Sequence, residues 1–200
     1  MTSQQQMIVD AFNSEVYVNN RMDVQHTPLY DTVVFAAGAT VSQLTSALFT
    51  NVGPASGKTL ALTNVTQQQK LPAPEAFSVF GFRFRFSEDV LRADVQTILN
   101  TFAVEFYLGQ KVYQRAPIWY LGAGGGLYAF STKTAESSYT NGLPSREAMH
   151  KLAVPVVIEN QMTFFAQLVG NPFILAAAAA GGTGFTMQLL LDGLYARGVQ

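Results

Sequence analysis

The sequence predicts an all-β fold, a single jelly-roll β-sandwich of about eight to ten strands with one inserted helix near residues 88–101. Three observations lead to this prediction. Many short segments alternate apolar and polar residues, only one segment has helical spacing, and the connections between segments are uneven and often long. Jelly rolls accommodate long crossings between two sheets, whereas up-and-down barrels favour short, regular hairpins. One such domain accounts for the 200 residues, because no internal repeat recurs at a fixed period.

The most regular alternation lies in residues 77–86, with the sequence FSVFGFRFRF. In a strand, successive side chains point to opposite faces. One face would therefore carry Phe80, Phe82, Phe84 and Phe86, and the other Phe77, Val79, Arg83 and Arg85. Burying an unpaired arginine costs an amount of free energy comparable to or larger than what burying a phenylalanine contributes. We therefore predict a central strand with the four-phenylalanine face in the core and its arginines near solvent or a partner.

The one segment with helical spacing follows this strand. Ser87 is a suitable N-cap, and Glu88 and Asp89 would lie in the first turn, where the helix dipole favours negative charge. The apolar residues that recur at helical spacing are Leu91, Val95, Ile98 and Phe102. Alternation then resumes in residues 104–108, and a tight turn at Gly109 and Gln110 leads into a strand over 111–115.

Residues 1–27 are polar and are expected to form an N-terminal arm that orders against another surface, leaving 28–200 as the jelly-roll domain. A frayed terminal segment is the alternative. Further strands are predicted by β-branched runs or alternation at 32–38, 59–64, 127–130, 154–158, 162–169 and 185–192. Residues 44–52 fit either a strand or a helical turn. Pro155 places its strand at a sheet edge or near a strand start, because proline cannot donate a ladder hydrogen bond.

The composition bears on function. Charged residues make up 12% of the chain, compared with about 25% in an average soluble domain. A weakly charged surface favours an assembly subunit, although a neutral secreted sandwich remains an alternative. A net charge of −1 argues against wrapping nucleic acid, and the absence of cysteine excludes disulfides. Residues 1–6 do not resemble a signal peptide, and the apolar stretch 172–180 is too short to cross a bilayer.

No motif for catalysis or cofactor binding stands out. Residues 53–59 resemble a phosphate-binding P-loop, but three residues separate the glycines where that loop has four. The glycine run at 122–126 lacks dinucleotide-binding spacing. His26 and His150 lie outside any metal-ligand pattern and are interpreted as surface residues. We therefore expect that the protein has no catalytic activity, binds no cofactor or metal through these residues, and does not bind nucleic acid in a sequence-specific manner.

Four side chains are candidates for a subunit interface, namely Arg83, Arg85, Arg115 and Trp119. Arginine and aromatic residues are enriched where proteins contact each other. The alternative for the arginines is pairing within one subunit with Glu105, Glu159 and Asp192. A different hypothesis is a carbohydrate- or receptor-binding module that uses Trp119, Tyr120 and Tyr128 as a stacking platform.

Four segments resemble the jelly-roll capsid proteins of icosahedral, tailless bacterial viruses with an internal membrane. They are residues 59–64, 69–77 with the aromatic strand that follows, 158–165, and 190–197. The resemblance implies a structural capsid protein located in the virion, without catalytic activity. Its implied partners are copies of itself, other capsid proteins and, through neighbouring proteins, an internal membrane. Members of that family form trimeric or pseudo-hexameric capsomers. Many carry two jelly rolls in one chain, so the number of chain types in a capsomer stays open here.

Overall fold

The computed structural model describes residues 22–87, 92–122, 150–175 and 185–198. These ranges contain one α-helix, α1 (Arg92–Thr101), and are otherwise mostly β, as the sequence predicts. The strands are β1 (Met22–His26), β2 (Leu29–Phe35), β3 (Thr40–Val41), β4 (Ala76–Phe86), β5 (Phe102–Leu108), β6 (Lys111–Pro117), β7 (His150–Ile158), β8 (Phe164–Gly170), β9 (Phe173–Ile174) and β10 (Phe185–Gly198). Short 3-10 turns occur at Pro54–Ser56 and Ile118–Leu121. No helix in the described ranges is both long and apolar enough to span a membrane.

The larger sheet is built around the long strand β10. Along one edge of β10, residues 185–191 pair with β2 and residues 194–198 pair with β1. The other edge of β10 pairs with β4, which in turn pairs with β7. The second sheet has the order β6–β5–β8, and a bridge between Leu48 and Ala166 adds a short segment beside β8. Every strand pair in both sheets is antiparallel. A further small ladder joins β3 to β9.

The core lies between the two sheets. Phe82 of β4 and Phe106 of β5 meet across it, with ring centroids 5.3 Å apart. Alternate residues of β5, β8 and β10 are buried on the inner faces, as their sequence patterns predict. The helix α1 adds Val95 and Ile98 to the same apolar cluster, and both side chains are fully buried. Burial of this one face accounts for the helical spacing seen in the sequence.

A β-bulge at Phe80 corrects the predicted faces of β4. Asp192 of β10 lies opposite Gly81 and Gly193 lies opposite Val79, so Phe80 is the extra residue. A bulge shifts the alternation by one position. Phe77 and Val79 are therefore fully buried together with Phe82, Phe84 and Phe86, whereas Phe80 is only partly buried. Gly193 is required at this point, because a Cβ atom there would collide with the Ser78 carbonyl oxygen and the Phe77 ring.

Residues 59–64 do not form the predicted strand. They make a turn that covers the outer side of β2, with Leu60 largely exposed. The Tyr30 hydroxyl donates to the Leu60 carbonyl oxygen at 2.5 Å, and the Thr32 hydroxyl donates to the Leu62 carbonyl oxygen at 2.7 Å. This backbone finds side-chain partners on β2 in place of a neighbouring strand. One of the four segments that carry the resemblance is thus a loop.

Other boundaries differ from the predictions. The strand β1 falls inside the segment 1–27, so that part of the expected arm belongs to the larger sheet. Residues 44–52 are neither a full strand nor a helix, apart from the single bridge at Leu48. The turn at Gly109 is confirmed, with φ of 61°, and β7 lies at an edge of the described sheet, as Pro155 indicates. The predicted strand at 127–130, the glycine run beyond Gly122 and residues 88–91 lie outside the described ranges.

Candidate functional site

Arg83 and Arg85 lie on the outer face of the larger sheet, opposite the buried phenylalanines of β4. The guanidinium of Arg83 forms an ion pair with Asp192 of the adjacent strand β10. Arg85 is exposed, and none of the described residues forms an ion pair or hydrogen bond with it. The two arginines are neighbours on one strand face but have different roles, because Arg83 is already neutralised within its own subunit.

A surface pocket of about 310 Å³ lies beside Arg85. Its walls include Thr32, Leu62, Ser87, Thr186 and Gln188. The Gln188 side-chain amide donates to the Thr32 hydroxyl and to the Ala61 carbonyl oxygen, both at 3.1 Å, which fixes the wall next to Arg85, its register partner on β4.

The other wall carries hydrogen-bond donors. The Ser87 hydroxyl oxygen accepts the Thr186 amide N–H at 3.1 Å, which leaves its own O–H to donate. The pocket therefore combines one guanidinium with hydroxyl donors and suits a negatively charged or strongly polar group.

Arg115 lies on the second sheet, in a network on its outer face. Its guanidinium contacts the Glu105 carboxylate at 2.6 and 2.7 Å, and the Tyr107 hydroxyl donates to the same carboxylate at 2.5 Å. Gln167 of β8 donates to Tyr107 at 3.2 Å, and Phe165 stacks on the Tyr107 ring, with centroids 4.6 Å apart. These groups cover Glu105, which is only 7% exposed. The Glu105 carboxylate is therefore satisfied within the subunit, while the Arg115 side chain remains 67% exposed.

The hydrogen bond from Tyr107, with further ones from Arg115 and Gln167, lowers the pKa of Glu105 against the opposing effect of burial. The same hydrogen bond to Glu105 raises the pKa of Tyr107. Each shift favours the pair in which a neutral phenol donates to a charged carboxylate.

Trp119 lies on the 3-10 turn that follows β6. Its ring is 58% exposed and meets Tyr120, which is 51% exposed, edge to face with centroids 6.0 Å apart. The Tyr120 ring also packs on His150 at the start of β7, with centroids 4.4 Å apart. Ile118 and Leu121 are fully buried and fix the turn from below. Trp119, Tyr120 and His150 therefore form an exposed aromatic cluster on a rigid base. Tyr128, the third member of the predicted stacking platform, lies outside the described ranges.

The P-loop-like residues have a structural role. The Lys58 ammonium pairs with the fully buried Asp31 carboxylate at 2.7 Å, and the Phe49 backbone N–H donates to the same carboxylate at 2.6 Å. Lys58 therefore fixes its loop to β2 and is not placed to hold a phosphate. Among the residues that the structure describes, no three histidine, aspartate or glutamate side chains lie close enough together to hold a metal ion.

The four predicted interface residues do not form one patch. Arg83 and Arg85 lie on the outer face of one sheet, Arg115 on that of the other, and Trp119 on a turn beside β6. Arg83 and Arg115 have intrasubunit partners, Asp192 and Glu105, which is the alternative that the sequence left open. Sequence reasoning did not find the pocket beside Arg85, because its walls come from positions far apart in the chain that only strand register brings together.

A scan of protein-family models found no match for this chain, and a search of curated proteins found no significant match.

Proposed function

We propose that the protein is a structural capsid subunit with a jelly-roll fold, which assembles with copies of itself and other capsid proteins into capsomers and an icosahedral shell. No catalytic activity belongs to this proposal. The observation that carries it is the strand order of the two sheets.

Within the described ranges, seven strands of the two sheets and the segment bridged at Leu48 occupy eight positions. In chain order these are β2, the segment at Leu48, β4, β5, β6, β7, β8 and β10. In the larger sheet the first strand lies beside the eighth, followed by the third and the sixth. In the second sheet the second strand lies beside the seventh, followed by the fourth and the fifth. Two interleaved Greek keys produce this order in a jelly roll, an architecture typical of viral capsid and lectin domains.

The weakly charged surface favours an assembly subunit over a monomer. Only 12% of the residues are charged, and several charged side chains, including Asp31 and Glu105, are taken up by internal pairs. The exposed aromatic cluster at Trp119 provides an apolar contact of the type enriched in interfaces. A weakly charged surface with such a cluster is expected to associate.

Sedimentation velocity combined with electron microscopy tests the proposal. The purified protein, over a range of concentrations and salt, is expected to form discrete closed oligomers, and higher assemblies when the other capsid proteins of its virus are added. A species that stays monomeric under all these conditions would overturn the proposal.

The aromatic cluster favours a second candidate function, a carbohydrate- or receptor-binding sandwich. Rings of Trp119 and Tyr120 that remain exposed on a rigid turn can stack on a sugar face. A glycan array distinguishes the two functions. Binding that is lost in Trp119→Ala would support the second, and an array without hits would remove it.

A further inference from the structure

We propose that the pocket beside Arg85 receives the Glu159 carboxylate of a neighbouring copy. This inference rests on the proposed self-assembly and names the contact that would carry it. The argument starts from the charge balance of the described residues.

Arg85 is a cation without an anion in the part of the chain that the structure describes. Its strand neighbour Arg83 takes the nearby carboxylate of Asp192. The hydroxyl groups of Ser87 and Thr186, which line the same pocket, have no acceptor among the described residues. A guanidinium flanked by hydroxyl donors matches the geometry and the single charge of a carboxylate.

Glu159 is the complementary case. It is exposed at the turn between β7 and β8, and no described residue forms an ion pair or hydrogen bond with its carboxylate. Every other acidic side chain of the described ranges has a partner within the subunit. One uncompensated acid and one uncompensated arginine in a polar pocket thus remain on the described surface.

The two groups cannot meet within one subunit. Glu159 follows Ile158, which pairs with Phe77 at the beginning of β4, whereas Arg85 lies at the end of that strand. The register on β10 places Phe77 and Arg85 seven residue steps apart, because Phe80 is the extra residue of the bulge, and seven steps correspond to about 23 Å. That separation exceeds the reach of both side chains, so pairing requires a second copy.

A donor and an acceptor at distant positions on one subunit can pair in two arrangements. In a two-fold dimer the pair forms twice, and in a head-to-tail contact it forms once per interface and closes into a ring when the rotation between copies allows it. A pair that is partly enclosed by the pocket also loses less to salt screening than a fully exposed pair.

A charge-swap experiment tests this pairing. Arg85→Glu and Glu159→Arg are each expected to raise the dissociation constant of the oligomer at least about tenfold, and the double variant to restore it to within about threefold of the parent. Lys111→Glu is the matched control for Arg85→Glu, because Lys111 is exposed on the second sheet and the net charge changes by the same amount. Association is measured by sedimentation velocity, and folding by circular dichroism and a cooperative melt.

The outcomes separate this inference from the proposed function. If the parent forms oligomers and both single variants associate like Lys111→Glu, the pairing is refuted while self-assembly stands. A double variant no better than the single ones also refutes the pairing, since Arg85 then contacts something other than Glu159. A parent that never associates overturns both proposals. If a charge reversal prevents folding, Arg85→Gln and Glu159→Gln replace it, and an unchanged dissociation constant in both would refute the pairing.

Discussion

At the scale of single residues, Phe80 decides which side chains of β4 enter the core. Strict alternation groups Phe80 with Phe82, but the bulge removes it from that set and adds Phe77 and Val79. Glycine at position 193 makes the bulge possible, because the β4 backbone approaches it closely. The number of buried large side chains on this strand thus depends on one extra residue that no local pattern reveals.

The bulge makes Phe80 an internal control for its neighbour. Phe82→Ala is expected to lower the free energy of unfolding by about 3–5 kcal/mol, because the ring is fully buried against Phe106 and its removal leaves a cavity. Phe80→Ala should cost much less, since that ring is only partly buried. Urea unfolding of both variants measures the difference. Equal losses would place Phe80 in the core and contradict the bulge.

Glu105 gives a prediction about acid stability. Because hydrogen bonds from Tyr107, Arg115 and Gln167 lower the folded-state pKa of Glu105, the carboxylate contributes stability that is fully present above its unfolded pKa, about 4.3. That contribution is lost as the pH falls through the lower folded-state value. Glu105→Gln should therefore flatten the loss of stability below about pH 4.3. Chemical unfolding at a series of pH values measures it.

The control for this experiment is Asp23→Asn. It makes the same kind of change at an exposed carboxylate whose ion pair with Arg197, at 3.5 Å, is itself solvent-exposed and contributes little to stability. We expect the free energy of unfolding of that variant to fall at low pH as steeply as that of the parent. If the free energy of unfolding of Glu105→Gln also falls as steeply as the parent's, the network contributes nothing to acid stability.

At the scale of elements, the loop 59–64 acts as a substitute for a strand along β2. The Asn64 side chain takes the place of a paired strand. Its side-chain oxygen accepts the Tyr30 backbone N–H at 2.9 Å, and its amide donates to the Pro28 carbonyl oxygen at 2.7 Å. These are the bonds that a paired strand would otherwise provide. The loop is thereby fixed to the sheet and forms one wall of the pocket beside Arg85.

Asn64→Ala is expected to lower the free energy of unfolding by about 1–3 kcal/mol, because two backbone groups of the β2 region lose their partners. Asn51→Ala serves as the control, since Asn51 is exposed and has no hydrogen bond among the described residues. Thermal and urea unfolding measure the stability of both variants. A loss in Asn64→Ala no larger than in the control would contradict the strand-like role of the loop.

Features that depend on residues close together in the chain are predicted from the sequence, whereas features that depend on distant residues are not. Strands β5, β8 and β10 and the turn at Gly109 are confirmed, because alternation and glycine conformation are local properties. Residues 59–64 do not form the predicted strand, because their β-branched and apolar composition does not determine the partners of their backbone hydrogen bonds. The partners of Arg83 and Arg115 depend on strand register, which links positions distant in the chain.

At the scale of the whole molecule, the two sheets differ in what their outer faces offer to a neighbour. On the outer face of the second sheet, the charges of Glu105 and Arg115 are paired with each other. The larger sheet presents the pocket beside Arg85, and the turn after β6 presents Trp119 and Tyr120. Contacts in an assembly are therefore expected at the larger sheet and at this turn.

The last prediction concerns Trp119 in that assembly. Trp119→Ala should leave a folded subunit that melts within about 2 °C of the parent, because surface substitutions generally change stability little and Ile118 and Leu121 still fix the turn. Removal of the indole ring from a subunit contact would weaken the association free energy by about 2 kcal/mol, and this loss recurs at every contact of a closed ring. We therefore expect capsomer formation to disappear, as measured by sedimentation velocity. Tyr113→Ala is the control, since Tyr113 is a comparably exposed aromatic residue on the second sheet. Capsomers of Trp119→Ala at parental concentrations would show that the aromatic cluster lies outside the subunit contacts.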